Sequence, residues 1–385
     1  MGIDRSDTTR YQRIWRNLRF LCGGALCRIF AYERALVPDV PAPYLVVCNH
    51  NTDLDPALVG LCFEKQMFFV ASEHVFRKGL GSKLLISLFA PISRIKGATD
   101  ASAALDIIRV LRRGANVCLF AEGNRSFNGV TGPIFPATGK LAKASGASLI
   151  TFRFEGGYLT TPRWAYTRRR GRMRGRLVHV YSPEQLKGMT PDEVNEAIRA
   201  DLYEDAFERQ ATEQVDFVGK RLAEGLENAL FLCPNCGKTG TLAGRGDDFV
   251  CSSCGLSATY TVRGNFAEGA PFANVRDWNA WQEQKLCALA QSGSADALLQ
   301  DDGMRLVAIE DDHRQREVAR GALAMSKVRM TLGDASFALS EISDMAQVGA
   351  SKIVFSVSGA HYEIQSDAPH YCGRKYHMLY KIMKP

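Results

Sequence analysis

The sequence predicts an α/β fold, with a mixed central sheet flanked by helices, then a four-cysteine ribbon and a small β-rich C-terminal domain. Three observations predict it. Apolar, β-branched runs alternate with amphipathic stretches between residues 43 and 228. Two Cys-x2-Cys pairs stand together between residues 229 and 265, and a helical linker follows over 266–302. From residue 303 onward short strands succeed one another before a closing helix. At 385 residues the chain is long enough for more than one core. Its formal charge of +7 leans toward acidic partners such as anionic lipid, nucleic acid or phosphorylated substrates.

Residues 1–42 form an N-terminal helical segment. Ile14, Trp15, Leu18, Leu21, Leu26, Ile29 and Phe30 recur at helical spacing, with Arg13, Arg16, Arg19 and Arg28 between them. Two readings stay open: a cationic amphipathic helix lying in a bilayer interface, or a helix packed on the domain's own core. Gly23-Gly24 predicts a break in it. No run of about eighteen uncharged apolar residues is present, so no transmembrane helix is expected. No secretory signal is expected either, and the scattered remaining cysteines suit a reducing compartment.

Residues 44–47 read as a buried strand that stops at Asn49-His50. Asp55-Pro56 then reads as a helix start, with Asp as N-cap and Pro at the first helical position. An imidazole thus stands at the mouth of a strand, with a carboxylate five residues later at the entry to a helix. That carboxylate can accept a hydrogen bond from one ring nitrogen and leave the other basic. The pattern is a general base with its orienting partner, and no serine or cysteine nucleophile stands beside it. Alone it is weak, because a histidine at a strand end is more often a structural hydrogen-bonder. His74, after the strand at 67–71, is a second candidate base, but it lacks a carboxylate at matching spacing.

Residues 91–96 read as a short strand on which Arg94 and Lys96 share one face. Residues 100–113 form an amphipathic helix with Gly114 as its cap. The next strand, 116–120, ends at Glu122-Gly123-Asn124-Arg125-Ser126. Gly123 allows a sharp turn, and Arg125 can present its planar fork to a phosphate.

Taken in order, these blocks resemble the glycerophospholipid acyltransferase family, also described as the 1-acylglycerol-3-phosphate acyltransferases. The family carries an Asn-His-x4-Asp block, a short block with Arg, and a Phe-x-Glu-Gly-x-Arg-Ser block. Here they read Asn49-His50 to Asp55, Pro91-Ile92-Ser93-Arg94, and Phe120 to Ser126. The resemblance spans about residues 40–180 and departs from the pattern at Asn124, at Ala121, and in a proline-free strand at 149–154. It implies an acyltransferase domain over 43–228 that moves a fatty acyl group from an acyl thioester to a lysophospholipid hydroxyl. The implied acceptor is 1-acylglycerol-3-phosphate, and the donor is acyl-CoA or an acyl carrier protein. His50 and Asp55 would be catalytic, and Arg94, Glu122, Gly123 and Arg125 would bind the acceptor phosphate. It also implies phospholipid biosynthesis and a cytoplasmic, peripheral location on the inner face of the membrane.

Residues 163–176 hold seven arginines with Trp164 and Tyr166 among them. They read as a solvated hairpin, an anionic-lipid or polyphosphate patch, or a nucleic-acid contact, flanking an edge strand. Thr190 with Glu193 three residues on opens a surface helix running to about residue 210. Cys233, Cys236, Cys251 and Cys254 form two knuckles fourteen residues apart, the pattern of a structural zinc ribbon with a closed thiolate shell. Past residue 303, strands at 304–310, 327–331, 336–339, 352–357 and 360–365 precede a helix at 371–383. In element order this region resembles a pleckstrin-homology-like barrel. A reading from another class is a nucleic-acid- or protein-binding protein built on the ribbon and the arginine patch. It leaves the His50 and Glu122 blocks unexplained, so nucleic acid is not expected as a partner. A family scaffold without activity is disfavoured, because His50 and Asp55 are both present.

Overall fold

The computed structural model describes residue 5 and residues 7–72, 80–94, 101–291, 297–310, 314–349, 351–366 and 371–384. Among these, the chain divides into two compact units. The first runs to Val218 without Trp164–Thr167, and the second holds those four residues and the chain from Gly219.

The first unit opens with helix α1 (Thr8–Phe30) and strand β1 (Tyr32–Arg34), followed by β2 (Tyr44–Cys48) and α2 (Asp55–Gly60). Next come β3 (Met67–Ser72), α3 (Leu80–Phe89), β4 (Ile92–Arg94), α4 (Ala101–Arg112) and β5 (Asn116–Phe120). The unit continues with α5 (Ala137–Ser145), β6 (Ser148–Glu155), α6 (Gly157–Thr160) and β7 (Met173–Tyr181). It closes on α7 (Pro183–Gly188), α8 (Pro191–Leu202) and α9 (Ala206–Glu213). The seven strands lie in the order β1-β7-β6-β2-β5-β3-β4. Every pair is parallel except β6 with β7, so the sheet is mixed, as expected.

Strand β2 sits in the middle, buried along its whole length. Its side chains alternate between two cores. Leu45 and Val47 join one with Phe68, Val117 and Leu149, while Tyr44, Val46 and Cys48 join the other with Phe69, Cys118 and Phe152. A strand covered on both faces has no polar side to show, which is why its sequence reads as a continuous apolar run.

Helix α1 is unbroken through Gly23-Gly24, against the expected break. One face packs inward: Tyr11 meets Phe68 edge-on, and the Trp15 ring stacks on Phe69 at 6.0 Å. Gly23 is accommodated because its bare Cα faces Leu61 closely. The opposite face leaves Phe20 and Leu21 exposed. The expected long surface helix from Thr190 is two helices, α8 and α9, because Asp205 caps a new start by accepting from the N–H groups of Phe207 and Glu208. Helix α8 buries Val194, Ile198 and Leu202 in the first core and exposes Asp192, Glu193, Glu196 and Arg199 on its other side. Strand β7 is covered by β1 only along Met173 to Gly175, and its remainder, the strand expected at 177–181, pairs with β6 alone and is an edge as expected.

In the second unit, β8 (Leu242–Arg245), β9 (Asp248–Cys251) and β10 (Ser257–Thr259) form a small antiparallel sheet, followed by α10 (Val275–Gln291). Then come β11 (Leu299–Ile309), β12 (Gln315–Met325), β13 (Arg329–Leu332), β14 (Ala335–Ala338), β15 (Ile342–Val348), β16 (Lys352–Val357) and β17 (Ala360–Ser366). Helix α11 (Arg374–Met383) ends the chain. The sheet order is β14-β13-β12-β11-β17-β16-β15, antiparallel throughout. Strands β12 and β15 were not expected from the sequence. The first half of β12 is exposed and charged, so no apolar alternation announces it.

No helix among the described residues is long and apolar enough to cross a membrane. The packing of α1 is open to a direct test. A Cβ at Gly60 would lie 2.5 Å from the Trp15 ring, whereas nothing lies within 4 Å of one at Gly24. Gly60→Ala should therefore cost about 1–3 kcal/mol of stability. Gly24→Ala, in an open helical position, should gain about 0.5–1 kcal/mol. Urea unfolding midpoints measure both.

Candidate active site

In a sheet of parallel strands, loops that follow the carboxyl ends emerge on one side. Strands β2 and β5 are neighbours with Cys48 opposite Phe120, and β3 and β4 continue the parallel register with Ser72 opposite Arg94. All three sequence blocks therefore open at the same end of the sheet.

The histidine and the aspartate meet. His50 Nδ1 lies 2.8 Å from Asp55 Oδ2. Asp55 is fully buried, and further donors converge on it. Oδ2 accepts from the N–H groups of Asn51 at 2.6 Å and Thr52 at 3.0 Å, and Oδ1 accepts from the Thr52 hydroxyl at 2.7 Å. Asp55 is the first residue of α2, one position later than the expected N-cap. Its carboxylate reaches back to the preceding loop instead of capping forward. With a carboxylate as partner, Nδ1 carries the ring proton and Nε2 is the basic nitrogen. The imidazole also stacks on Phe120, with centroids 4.4 Å apart and planes 26° apart.

Asn49 anchors this loop from the other side. Its side chain donates to the Phe154 carbonyl at 2.9 Å and accepts from the Phe154 N–H at 2.7 Å, continuing the β2–β6 ladder beyond its last backbone pair.

Glu122 is a brace. Its Oε1 accepts from the His50 N–H at 2.7 Å and its Oε2 from the Gly132 N–H at 2.5 Å, so both oxygens bind backbone amides and neither pairs with Arg125. Burial pushes its carboxyl up to about 8, with partial relief from those two amides. Arg125 instead sends Nε to Asp53 Oδ1 at 3.3 Å. Gly123 has φ +65°, and a Cβ there would meet the Phe135 ring at 2.4 Å with Arg94 Nη1 at 3.5 Å. Arg94 therefore reaches Gly123, and its guanidinium lies over Phe135 at 4.3 Å. His50, Asp55, Glu122, Gly123 and Arg94 thus gather around adjoining loops, with Arg125 on the same turn. His74 and Lys96 lie outside the described residues.

Asn49, Thr52, Asp53, Phe120 and Phe135 escaped the sequence reading as site residues. Thr52, three residues before Asp55 in a polar loop, carried a signal, because short hydroxyl and carboxyl side chains close such turns.

Three of the seven arginines in the arginine-rich segment are paired with glutamates. Arg172 pairs with Glu213, Arg174 with Glu33 and Glu213, and Arg176 with the buried Glu155. Arg163 and Arg169 are buried, and Arg168 and Arg170 face outward.

In the second unit the thiol sulfurs of Cys233, Cys236, Cys251 and Cys254 all lie within 4.8 Å of one another. The pairs Cys233–Cys254 and Cys236–Cys251 stand 3.6 and 3.8 Å apart. Each knuckle closes the same way, with Gly237 N–H bonding Cys233 O and Gly255 N–H bonding Cys251 O.

Residues 32–155 match the family model Acyltransferase. The matched acyltransferase region contains every residue of the site above. A solved structure, that of the 1-acyl-sn-glycerophosphate (LPA) acyltransferase PlsC from Thermotoga maritima, is similar at 18% identity. That similarity covers 53% of this chain and 96% of PlsC, with a TM-score of 0.38.

Glu122 makes the stability of the domain depend on pH. Its folded value lies above the ordinary 4.5, so between about 4.5 and 8 the folded chain holds a proton that the unfolded chain has lost. Its contribution is present at low pH and fades as pH rises through that window. Glu122→Gln should be less stable at acidic pH and should lose this decline, which is on the order of a few kcal/mol. Melting temperatures at pH 5 and 8 for both proteins provide the test.

Proposed function

We propose that this chain transfers a fatty acyl group from an acyl thioester to the hydroxyl of a lysophospholipid, with 1-acylglycerol-3-phosphate as acceptor, in phospholipid biosynthesis. The observation that carries the reading is the 2.8 Å contact between His50 Nδ1 and a buried, four-fold hydrogen-bonded Asp55 inside the acyltransferase region. His50 Nε2 takes the proton of the acceptor hydroxyl as its oxygen attacks the thioester carbonyl. The carbon–sulfur bond breaks, and the proton passes to the departing thiolate of coenzyme A or an acyl carrier protein. Asp55 keeps the ring in the reactive tautomer and stabilises the imidazolium. Glu122 holds the His50 main chain, while Arg94 and Arg125, gathered around Gly123, hold the acceptor phosphate.

His50→Ala should leave a folded protein without measurable transfer, while Asp55→Asn should lose about 10²–10⁴ in rate through the wrong ring tautomer. Arg125→Ala should mainly raise the acceptor KM, and a pure kcat loss would count against phosphate binding. Release of free thiol from acyl-CoA with 1-acylglycerol-3-phosphate measures all three.

The four cysteines are read as a structural zinc site. Sulfurs about 2.3 Å from a tetrahedral zinc ion stand about 3.8 Å apart, close to the spacings here. Zinc would tie the two knuckles together, leaving no open position for substrate. Elemental analysis should find zinc near one per chain, and Cys254→Ser should lose it and melt earlier while acyl transfer persists.

The terminal strands and α11 are read as a pleckstrin-homology-like domain. A cytoplasmic location, peripheral on the inner membrane face, is supported by Phe20 and Leu21 standing out beside arginines on α1. The nucleic-acid reading has less support, because arginines it needs are paired with glutamates.

A further inference from the structure

Arg125 meets Asp53 where the Glu122 turn faces the loop after β2, and the two side chains differ in their surroundings. The Arg125 side chain is 16% exposed and that of Asp53 is 83% exposed, with Nε 3.3 Å from Oδ1. The pair joins a mostly covered cation to an anion in open water. Among the described residues, Asp53 is the one carboxylate within ion-pair reach of Arg125.

Both main chains are pinned. The Arg125 carbonyl accepts from Arg163 Nη1 at 3.1 Å, and the Ser126 N–H beside it donates to the His50 carbonyl at 3.4 Å. On the other loop, the Thr52 N–H and hydroxyl bind Asp55, and the Leu54 N–H donates to the Thr52 hydroxyl at 3.2 Å. Asp53 stands between Thr52 and Leu54, so a change of its side-chain rotamer alone uncovers Arg125.

An exposed ion pair with a single contact is weak, because water screens it and holding two side chains together costs entropy. A guanidinium binds a phosphate more strongly, since several of its N–H groups find charged oxygens at once. A phosphomonoester therefore displaces Asp53 from Arg125. The displaced carboxylate stays on the same turn, where it repels the ligand. Acylation leaves the phosphate untouched, so the acceptor and the diacylated product feel the same grip and the same opposition. Binding shared by both does not speed the chemical step, and it slows the departure of product.

We propose that Asp53 is an internal competitor for the headgroup phosphate: it occupies Arg125 in the empty site, gives way to a phosphomonoester, and keeps acceptor and product from binding too tightly. This rests on the phosphorylated acceptor proposed above.

The test uses the full chain with Asp53→Asn, which removes the charge, Asp53→Glu, which keeps it, and Asp53→Asn combined with Arg125→Gln. Glycerol 3-phosphate binding is measured by calorimetry, and transfer to 1-acylglycerol-3-phosphate by thiol release, with and without added diacylated product. Asp53→Asn should tighten glycerol 3-phosphate binding about fivefold and lower the acceptor KM to match. It should also strengthen inhibition by the product and leave kcat no higher than in the parent chain. Asp53→Glu should stay within about twofold of the parent affinity. On the Arg125→Gln background, Asp53→Asn should give no gain in affinity, because the pair it relieves is gone. Unchanged or weaker binding in Asp53→Asn, an equal gain in Asp53→Glu or on the Arg125→Gln background, or no binding by the parent chain would overturn the proposal. A parent chain that binds glycerol 3-phosphate but transfers no acyl group would remove the acyltransferase reading. The affinities of the variants would then still decide the role of Asp53.

Discussion

The site depends on one buried carboxylate. Asp55 has no solvent exposure, and a polar group in such a place is tolerated only when its oxygens meet donors. Thr52, Asn51 and His50 supply them, and each is drawn into place by bonding to Asp55. The loop after β2 is shaped around that carboxyl group. The orientation of the imidazole is one consequence of it.

That loop is useful only because of the strand it leaves. β2 lies between β5 and β6, so its end is flanked on both sides. Towards β6, the Asn49 amide takes over the ladder at Phe154. Towards β5, Glu122 reaches across to the His50 N–H. His50 is therefore held by its ring through Asp55, by its main chain through Glu122, and by its face through Phe120.

A second ionic assembly holds the far strands. Glu155, at the end of β6, lies within ion-pair reach of Arg153, Arg174, Arg176 and Arg209. Arg209 is in turn gripped by Glu204 and Glu213. Three of the arginines that make the sequence look like an anion-binding patch, Arg172, Arg174 and Arg176, are thus paired with glutamates of β1, β6 and α9.

The sequence by itself determined the alternating strands and helices, the position of His50 and Glu122 just past strand ends, and the two cysteine knuckles. These are local properties: burial on both faces writes a continuous apolar run, and a tight turn writes a glycine. Only the tertiary structure decided what distant side chains do. Nothing near Glu122 in the chain announces that its oxygens meet the amides of His50 and Gly132, or that Arg163 reaches the Arg125 carbonyl. Those contacts follow from strand order, and strand order is set by the packing of the whole sheet. The continuity of α1 through two glycines has the same origin, because a face anchored by Tyr11, Trp15 and Phe30 outweighs a local helix propensity.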